Sequence, residues 1–163
     1  MSDDTTHEIT ALQDRYAPAS LCFGCGPANE RGLRIKSLPS GGAQDELACT
    51  WHALPYHQAF PGMVNGGIVG ALLDCHSNWT AAHHLMKVRG LDAPPCTVTA
   101  EFAVKLKRPT PLESALQLLA HVAESEGDRV VVEATLAADG KICATCRGVF
   151  VAVKPGHPAF HRW

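Results

Sequence analysis

Pro61-Gly62-Met63-Val64-Asn65-Gly66-Gly67 runs without a break into Ile68-Val69-Gly70-Ala71-Leu72-Leu73-Asp74. A proline-glycine turn hands the backbone to an Asn-Gly-Gly step, and there the apolar spacing becomes helical. Ile68, Leu72, Cys75, Trp79, Ala82 and Met86 follow at steps of four and three, which predicts one long helix from Asn65 to about Lys87 with a single apolar stripe. Gly90 and Pro94-Pro95 stop it. The first amides of a helix have no partner inside it and carry the positive end of its dipole. Glycines at that point let a ligand oxygen come close to those amides.

Around this helix the periods differ. Upstream, residues 1–20 read as a polar leader with a short helix around Glu8 to Tyr16. Gly32-Leu33-Arg34-Ile35 reads as the start of a strand, and Gly41-Gly42 marks a loop. Leu47, Cys49 and Trp51 alternate with Ala48, Thr50 and His52, the pattern of a half-buried strand. Downstream, Ala100, Phe102, Val104 and Leu106 alternate with Glu101, Lys105 and Lys107 as far as Pro109. Leu116 to Val122, Val130 to Ala137 and Ile142 to Val153 follow, the last two joined by the tight turn Asp139-Gly140. A lone helix over a strongly curved antiparallel sheet buries that stripe most compactly, so the fold expected is α+β. The domain is expected over residues 21–155, with a tail at 156–163.

Length and composition narrow the function. The 163 residues suit one domain, and 46% hydrophobic with 18% charged residues suits a folded core. A formal charge of −2, with basic residues scattered apart from Lys105, Lys107 and Arg108, argues against a nucleic-acid partner. No apolar run approaches the ~20 residues that span a bilayer, so no membrane partner is expected. Asp3, Asp4, Glu8 and Asp14 make the leader too acidic for a signal peptide. A cytoplasmic location with seven reduced cysteines follows as the expectation, and it deprives the sequon Asn78-Trp79-Thr80 of meaning.

Asp74 falls to one side of the apolar stripe, among Gly67, Gly70, Ala71, Asn78 and Ala81. Those neighbours are mostly small, so this flank suits close approach by another backbone or subunit. Asn65 and Asp74 are nine positions apart, ~13 Å along the axis. A carbonyl held by the amides of Gly66 and Gly67 is therefore beyond reach of Asp74 in the same helix, since a reacting centre needs both groups within ~3 Å. Two copies lying antiparallel about a two-fold axis bring them together. The plainer reading also stands at this point: Gly66-Gly67 as a tight turn and Asp74 as a solvated polar residue.

Several blocks, in order, resemble the hot-dog-fold acyl-CoA thioesterases, in particular the phenylacetyl-CoA-thioesterase-like branch. Cys22-Phe23-Gly24-Cys25-Gly26 with Asn29 and Gly32-Leu33 is similar to that branch's leader, CxxCGxxNPxGL. Pro61 to Gly67 is similar to its helix start, and Leu72-Leu73-Asp74 to its acid block. Thr97-Val98-Thr99-Ala100-Glu101-Phe102 and Lys107-Arg108-Pro109-Thr110-Pro111-Leu112 are similar to the strand after the helix, and Ala138-Asp139-Gly140-Lys141 to the final hairpin turn. The resemblance implies hydrolysis of acyl-CoA to free acid and coenzyme A in an obligate homodimer, often a homotetramer, with no cofactor. It implies Asp74 as general base or nucleophile, the Gly66 amide with help from Gly67 as oxyanion hole, and Thr99 as a hydroxyl orienting the attacking water. Asn65 departs from the family's usual His-Gly-Gly; an Asn side chain can donate to a carbonyl or fix the loop but cannot exchange a proton near neutral pH. Where relatives place a water-positioning Asn before the helix, Ala59 and Phe60 stand here, with His57 the nearby polar candidate. Two other readings stay open: a non-catalytic acyl or acyl-CoA binding module, suggested by Asn65, and an enoyl-thioester hydratase, whose usual acid-histidine motif is not found.

The remaining clusters give less. Cys22-x-x-Cys25 and Cys143-x-x-Cys146 suggest a four-thiolate site, but positions i and i+3 of a strand face opposite ways, so no metal is expected. The first pair is expected to form a turn packed over the helix end. His83-His84 suits the negative end of the helix dipole. Lys105, Lys107 and Arg108 suit either coenzyme A phosphates or a solvated strand face. Trp51, Phe60, Trp79 and Phe102 are the aromatic groups expected to set pocket depth.

Overall fold

Asn65 has extended backbone angles, φ −59° and ψ 134°, while its carbonyl already accepts the amide of Val69. That half-in geometry makes it an N-cap. From it runs the long helix α2 (Gly66–Val88). Gly90, at φ +61°, ends it: its amide bonds the Lys87 carbonyl and the next amide, Leu91, bonds Met86, a Schellman closure. The structure is a computed structural model and describes residues 9–42 and 45–161.

Before α2 come α1 (Leu12–Tyr16), β1 (Leu38–Pro39), β2 (Leu47–Trp51), a 3-10 turn (Pro55–His57), β3 (Gln58–Phe60) and β4 (Met63–Val64). After it come β5 (Thr97–Leu106), β6 (Leu116–Glu126), β7 (Arg129–Ala138) and β8 (Lys141–Ala152). Six strands form one antiparallel sheet in the order β1-β2-β6-β7-β8-β5, while β3 and β4 pair separately. Asp139 and Gly140, both at positive φ, make the two-residue β7–β8 turn whose twist matches its strands. One long helix on a curved antiparallel sheet is the arrangement expected.

The core lies between α2 and the sheet. Val69, Leu72, Leu73, Trp79 and Leu85 of the helix pack with Leu47, Leu116, Leu118, Leu136 and Phe150. The expected single stripe is too narrow, however. Ile68, Cys75 and Met86 are only half-buried, whereas His76 to Ala82 are buried on every side. The sheet covers one face and the segment before β1 covers another. Gln13, wholly buried, donates to Ser37 Oγ at 2.9 Å, and Ser37 Oγ meets His76 Nδ1 at 2.8 Å. His76 Nε2 lies 3.1 Å from the Leu47 carbonyl, which can only accept. Nε2 therefore carries a proton, and since burial lowers the His76 pKa to about 4 the neutral ring is favoured, with Ser37 donating to Nδ1.

Three local expectations are corrected. Residues 32–35 are not a strand: Arg34 sits at φ +51°, and Leu33 and Ile35 bond back to Phe23 and Gly24. The leader helix covers only Leu12–Tyr16, with Leu12 and Gln13 buried, and Glu8 lies outside the described residues. In β5 the register jumps from Thr99↔Phe150 to Glu101↔Val149, which makes Ala100 a bulge. The bulge shifts the alternation by one. Thr97 and Thr99 thus share the helix-facing side with Phe102 and Leu106, where simple alternation would oppose them.

Candidate active site

The cap decides which amides face outward. Asn65 Oδ1 accepts from Gly67 at 2.8 Å and Ile68 at 3.3 Å, and the Asn65 carbonyl accepts from Val69 at 3.1 Å. Of the first four helix amides, only that of Gly66 lies outside these bonds. The expected Gly66–Gly67 pair of donors is thereby reduced to one, because the Gly67 N–H is taken by its own cap.

Gly66 lines a cleft of about 400 Å³ together with Phe60, Val69, Leu106, Lys107 and Arg108. Four residues singled out from sequence, Phe60, Gly66, Lys107 and Arg108, thus meet in one place. Lys105, one step out of phase on β5, lines a different hollow with Glu133 and Arg147. Phe60 is 57% exposed, as a wall open to solvent would be. Trp51 and Trp79 do not line the cleft. Both are buried and anchored, Trp51 Nε1 donating to the Leu33 carbonyl and Trp79 Nε1 to Cys25 Sγ.

His57 supports the cleft from behind. Its Nδ1 accepts from the Leu54 amide at 2.9 Å, its ring lies against Trp51, and its carbonyl accepts from the Asn65 amide. Burial lowers its pKa, so the neutral ring is favoured. It holds the loop that carries Asn65.

Asp74 lies two turns along α2. Thr99 Oγ1 donates to its Oδ1 at 2.7 Å, so two expected site residues pair directly. Burial, reinforced by the Asp74 charge, pushes the Cys146 thiol up to about 11. Gly66, Gly70, Asp74 and Asn78 form one ridge at steps of four. A Cβ on Gly66 would lie 3.1 Å from Leu106 Cδ1, and one on Gly70 would lie 3.9 Å from Phe102 Cε2. Asn78 donates to the Thr97 carbonyl and its side-chain oxygen accepts from the Thr97 hydroxyl. The small flank predicted to accept a backbone accepts β5 of its own chain. Asn78 is buried there, which rules out the sequon as a glycan site.

Gly66 and Asp74 remain eight positions apart, ~12 Å along the axis. Within one chain, the open amide and the carboxylate do not meet. β5 is an edge of the sheet, paired only with β8, and its Phe102 and Leu106 are 45% and 59% exposed.

The cysteine expectation is overturned in detail. A bulge in β8 at Cys143 buries it together with Cys146, against simple alternation. Neither joins the first pair. Cys22 and Cys25 instead meet Cys75 of α2, and the turn packs over the middle of the helix rather than its end. Spacing along the chain gave no sign of Cys75. All seven cysteines are free thiols.

Among the described residues, no helix is long and apolar enough to cross a membrane. No protein-family model and no curated protein matches the chain. Solved structures do. A thioesterase superfamily protein from Shewanella loihica PV-4 has a TM-score of 0.62 at 28% identity, covering 78% of this chain and 98% of that one. The PaaI protein of the E. coli phenylacetic acid degradation operon has a TM-score of 0.62 at 14% identity, covering 75% and 81%. Zebrafish thioesterase superfamily member 2 has a TM-score of 0.61 at 18% identity, covering 77% and 90%. The last two share the fold alone. The chain is a hot-dog-fold protein, and its solved neighbours include thioesterase-superfamily proteins and proteins of phenylacetic acid degradation, the branch its sequence blocks resemble.

Proposed function

We propose that this chain hydrolyses acyl-CoA thioesters at sites shared between two copies, the Gly66 amide of one facing Asp74 of the other. One observation carries the reading. The same helix presents an outward amide in a cleft with two cations, and a Thr99-held carboxylate two turns further on. The edge strand supports the pairing. Gly66 sits beside Leu106, and Asp74 sits beside Thr99. Antiparallel pairing of β5 with its copy, centred near Phe102, would bring the Leu106 end of one strand to the Thr99 end of the other. Gly66 would then approach the partner's Asp74.

The chemistry asks little more. A thioester has a good leaving thiolate and weak resonance, so one oriented carboxylate suffices as general base or nucleophile. The Thr99 hydroxyl fixes the orientation of that carboxylate. The Gly66 N–H, at the positive end of α2, stabilises the tetrahedral oxyanion. Lys107 and Arg108 at the cleft mouth suit the phosphates of coenzyme A, and Phe60 suits the acyl group. Asn65 serves as the cap that leaves the Gly66 amide outward.

A panel of aryl, short-chain and medium-chain acyl-CoA thioesters, assayed for free thiol, tests this. Asp74→Ala should lower turnover by roughly 10²–10⁴-fold on every substrate that the wild type hydrolyses, with the fold intact. Unchanged turnover would refute the assignment. One observation favours a second reading, a non-catalytic acyl-CoA binding module: the Asn65 side chain is committed to the cap, in place of a titrating histidine. Calorimetric binding of acyl-CoA with no thiol release from any substrate would decide for it.

A further inference from the structure

We propose that Cys22, Cys25 and Cys75 bind one soft d10 cation, Zn²⁺ or Cu⁺, through three thiolates. This site is distinct from the cleft and does not rest on the hydrolytic reading.

The three sulfurs all lie within 4.8 Å of one another, the only such group of three or more ligand atoms among the described residues. Cys22 Sγ and Cys75 Sγ are 3.8 Å apart. Sulfurs bound ~2.3 Å from a common metal are separated by ~3.8 Å in a tetrahedral shell and ~4.0 Å in a trigonal one. One edge of the triangle is already at bonding separation, and the others need to close by less than ~1 Å.

The surroundings are built for it. Cys22-Phe23-Gly24-Cys25-Gly26 curls back so that the Gly26 amide bonds the Cys22 carbonyl at 2.8 Å. A Cβ on Gly26 would lie 2.4 Å from the Ser20 carbonyl oxygen, and one on Gly24 would lie 2.4 Å from Cys75 Sγ. Both glycines are thus required for the turn to close on α2. Trp79 Nε1 donates to Cys25 Sγ at 3.3 Å. Donors aimed at sulfur stabilise thiolate charge and orient ligands. A bound cation would supply the positive charge that lets the thiols give up their protons.

Binding exchanges thiol protons for metal–sulfur bonds, and no electrons move. Cu⁺ is satisfied by three sulfurs; Zn²⁺ completes its shell with a water or small anion on the half-exposed Cys22 side. Either ion would staple the leader turn to α2 at the residue that follows Asp74.

The test uses the full chain, reduced and stripped with chelator. Zn²⁺ is titrated against one chromophoric chelator and Cu⁺ against another, and Co²⁺ is added separately to seek thiolate charge-transfer bands. The expected result is one ion per chain for at least one of the two metals, weakened more than ~100-fold in Cys22→Ser and in Cys75→Ser but unchanged in Cys143→Ser. Should a variant misfold, the wild type still answers. The bound metal should slow alkylation of Cys22, Cys25 and Cys75 at least ~10-fold by mass spectrometry and leave Cys143 unaffected. Affinity for both ions no better than that of folded Cys75→Ser overturns the proposal. So does alkylation of all cysteines at the same rate with and without metal.

Discussion

The first turn of α2 and its middle are one continuous helix built on opposite rules. From Asn65 to Gly70 it is glycine-rich, partly exposed, and keeps one amide outside its own cap. From Leu72 to Ala82 it is buried almost all round, and most of its polar side chains are matched: His76 to Ser37 and Leu47, Asn78 to Thr97, Thr80 to the His76 carbonyl, with the buried Ser77 hydroxyl the exception. Partners matter in a buried helix, since an unsatisfied buried polar group costs about 1–3 kcal/mol. The middle therefore anchors the helix, which lets the start remain open. Asp74 sits at the boundary, half-buried and held by Thr99.

Breaking the open end should have the largest effect. Gly66→Pro removes the outward N–H at the helix position where proline is best tolerated. The ψ of 134° at Asn65 already suits a residue preceding proline, and the nearest obstacle is the tip of the exposed Leu106 side chain. Turnover is expected to fall by roughly 10²–10³-fold with little change in the unfolding midpoint. Retained turnover would mean that the open amide does no chemistry.

Breaking the anchored middle should read in stability instead. Burial lowers the His76 pKa from 6.5 to about 4, so the unfolded chain binds more protons than the folded one between those values. The stability of the neutral ring is thus present above pH 6.5 and lost as pH falls toward 4, on the order of 3 kcal/mol in all. His57, also lowered by burial, adds to the same slope. Urea unfolding from pH 7 to 4 should show the loss, with a shallower slope in His76→Asn. An equal slope in both would place the acid sensitivity elsewhere.

Removing the cap between the two regions should matter least. Asn65→Ala deletes the acceptor for Gly67 and Ile68 and should cost about 1 kcal/mol of stability. A change near zero by chemical denaturation would mean that water replaces the side chain fully.

What the sequence disclosed follows the range of each interaction. Helix α2, its start at Asn65 and the β7–β8 hairpin rest on contacts between near neighbours, and β2 shows in the alternation of its own residues although its partner β6 is distant, so periodicity and turn chemistry reveal them. Phe60, Gly66, Lys107 and Arg108 could be chosen by residue type, although only the fold brings them to one cleft. The Ala100 and Cys143 bulges were hidden because an extra residue leaves composition unchanged while reversing which side chains face inward. Ile35 read as strand because its burial looks the same in a loop folded back on the Cys22–Gly26 turn. Pairings such as Cys22 with Cys75 or Gln13 with Ser37 join distant segments, and no spacing rule along the chain exposes them.

The sharing of one site by two copies can be measured directly with two silent variants. Gly66→Pro and Asp74→Asn are purified separately, mixed in equal amounts, dissociated and reassociated. A mixed dimer then holds one site with both lesions and one with neither, so roughly a quarter of the wild-type thioesterase rate should return. If both groups act within a single chain, every site in every mixture carries a lesion, and the mixture will be as inactive as its parts.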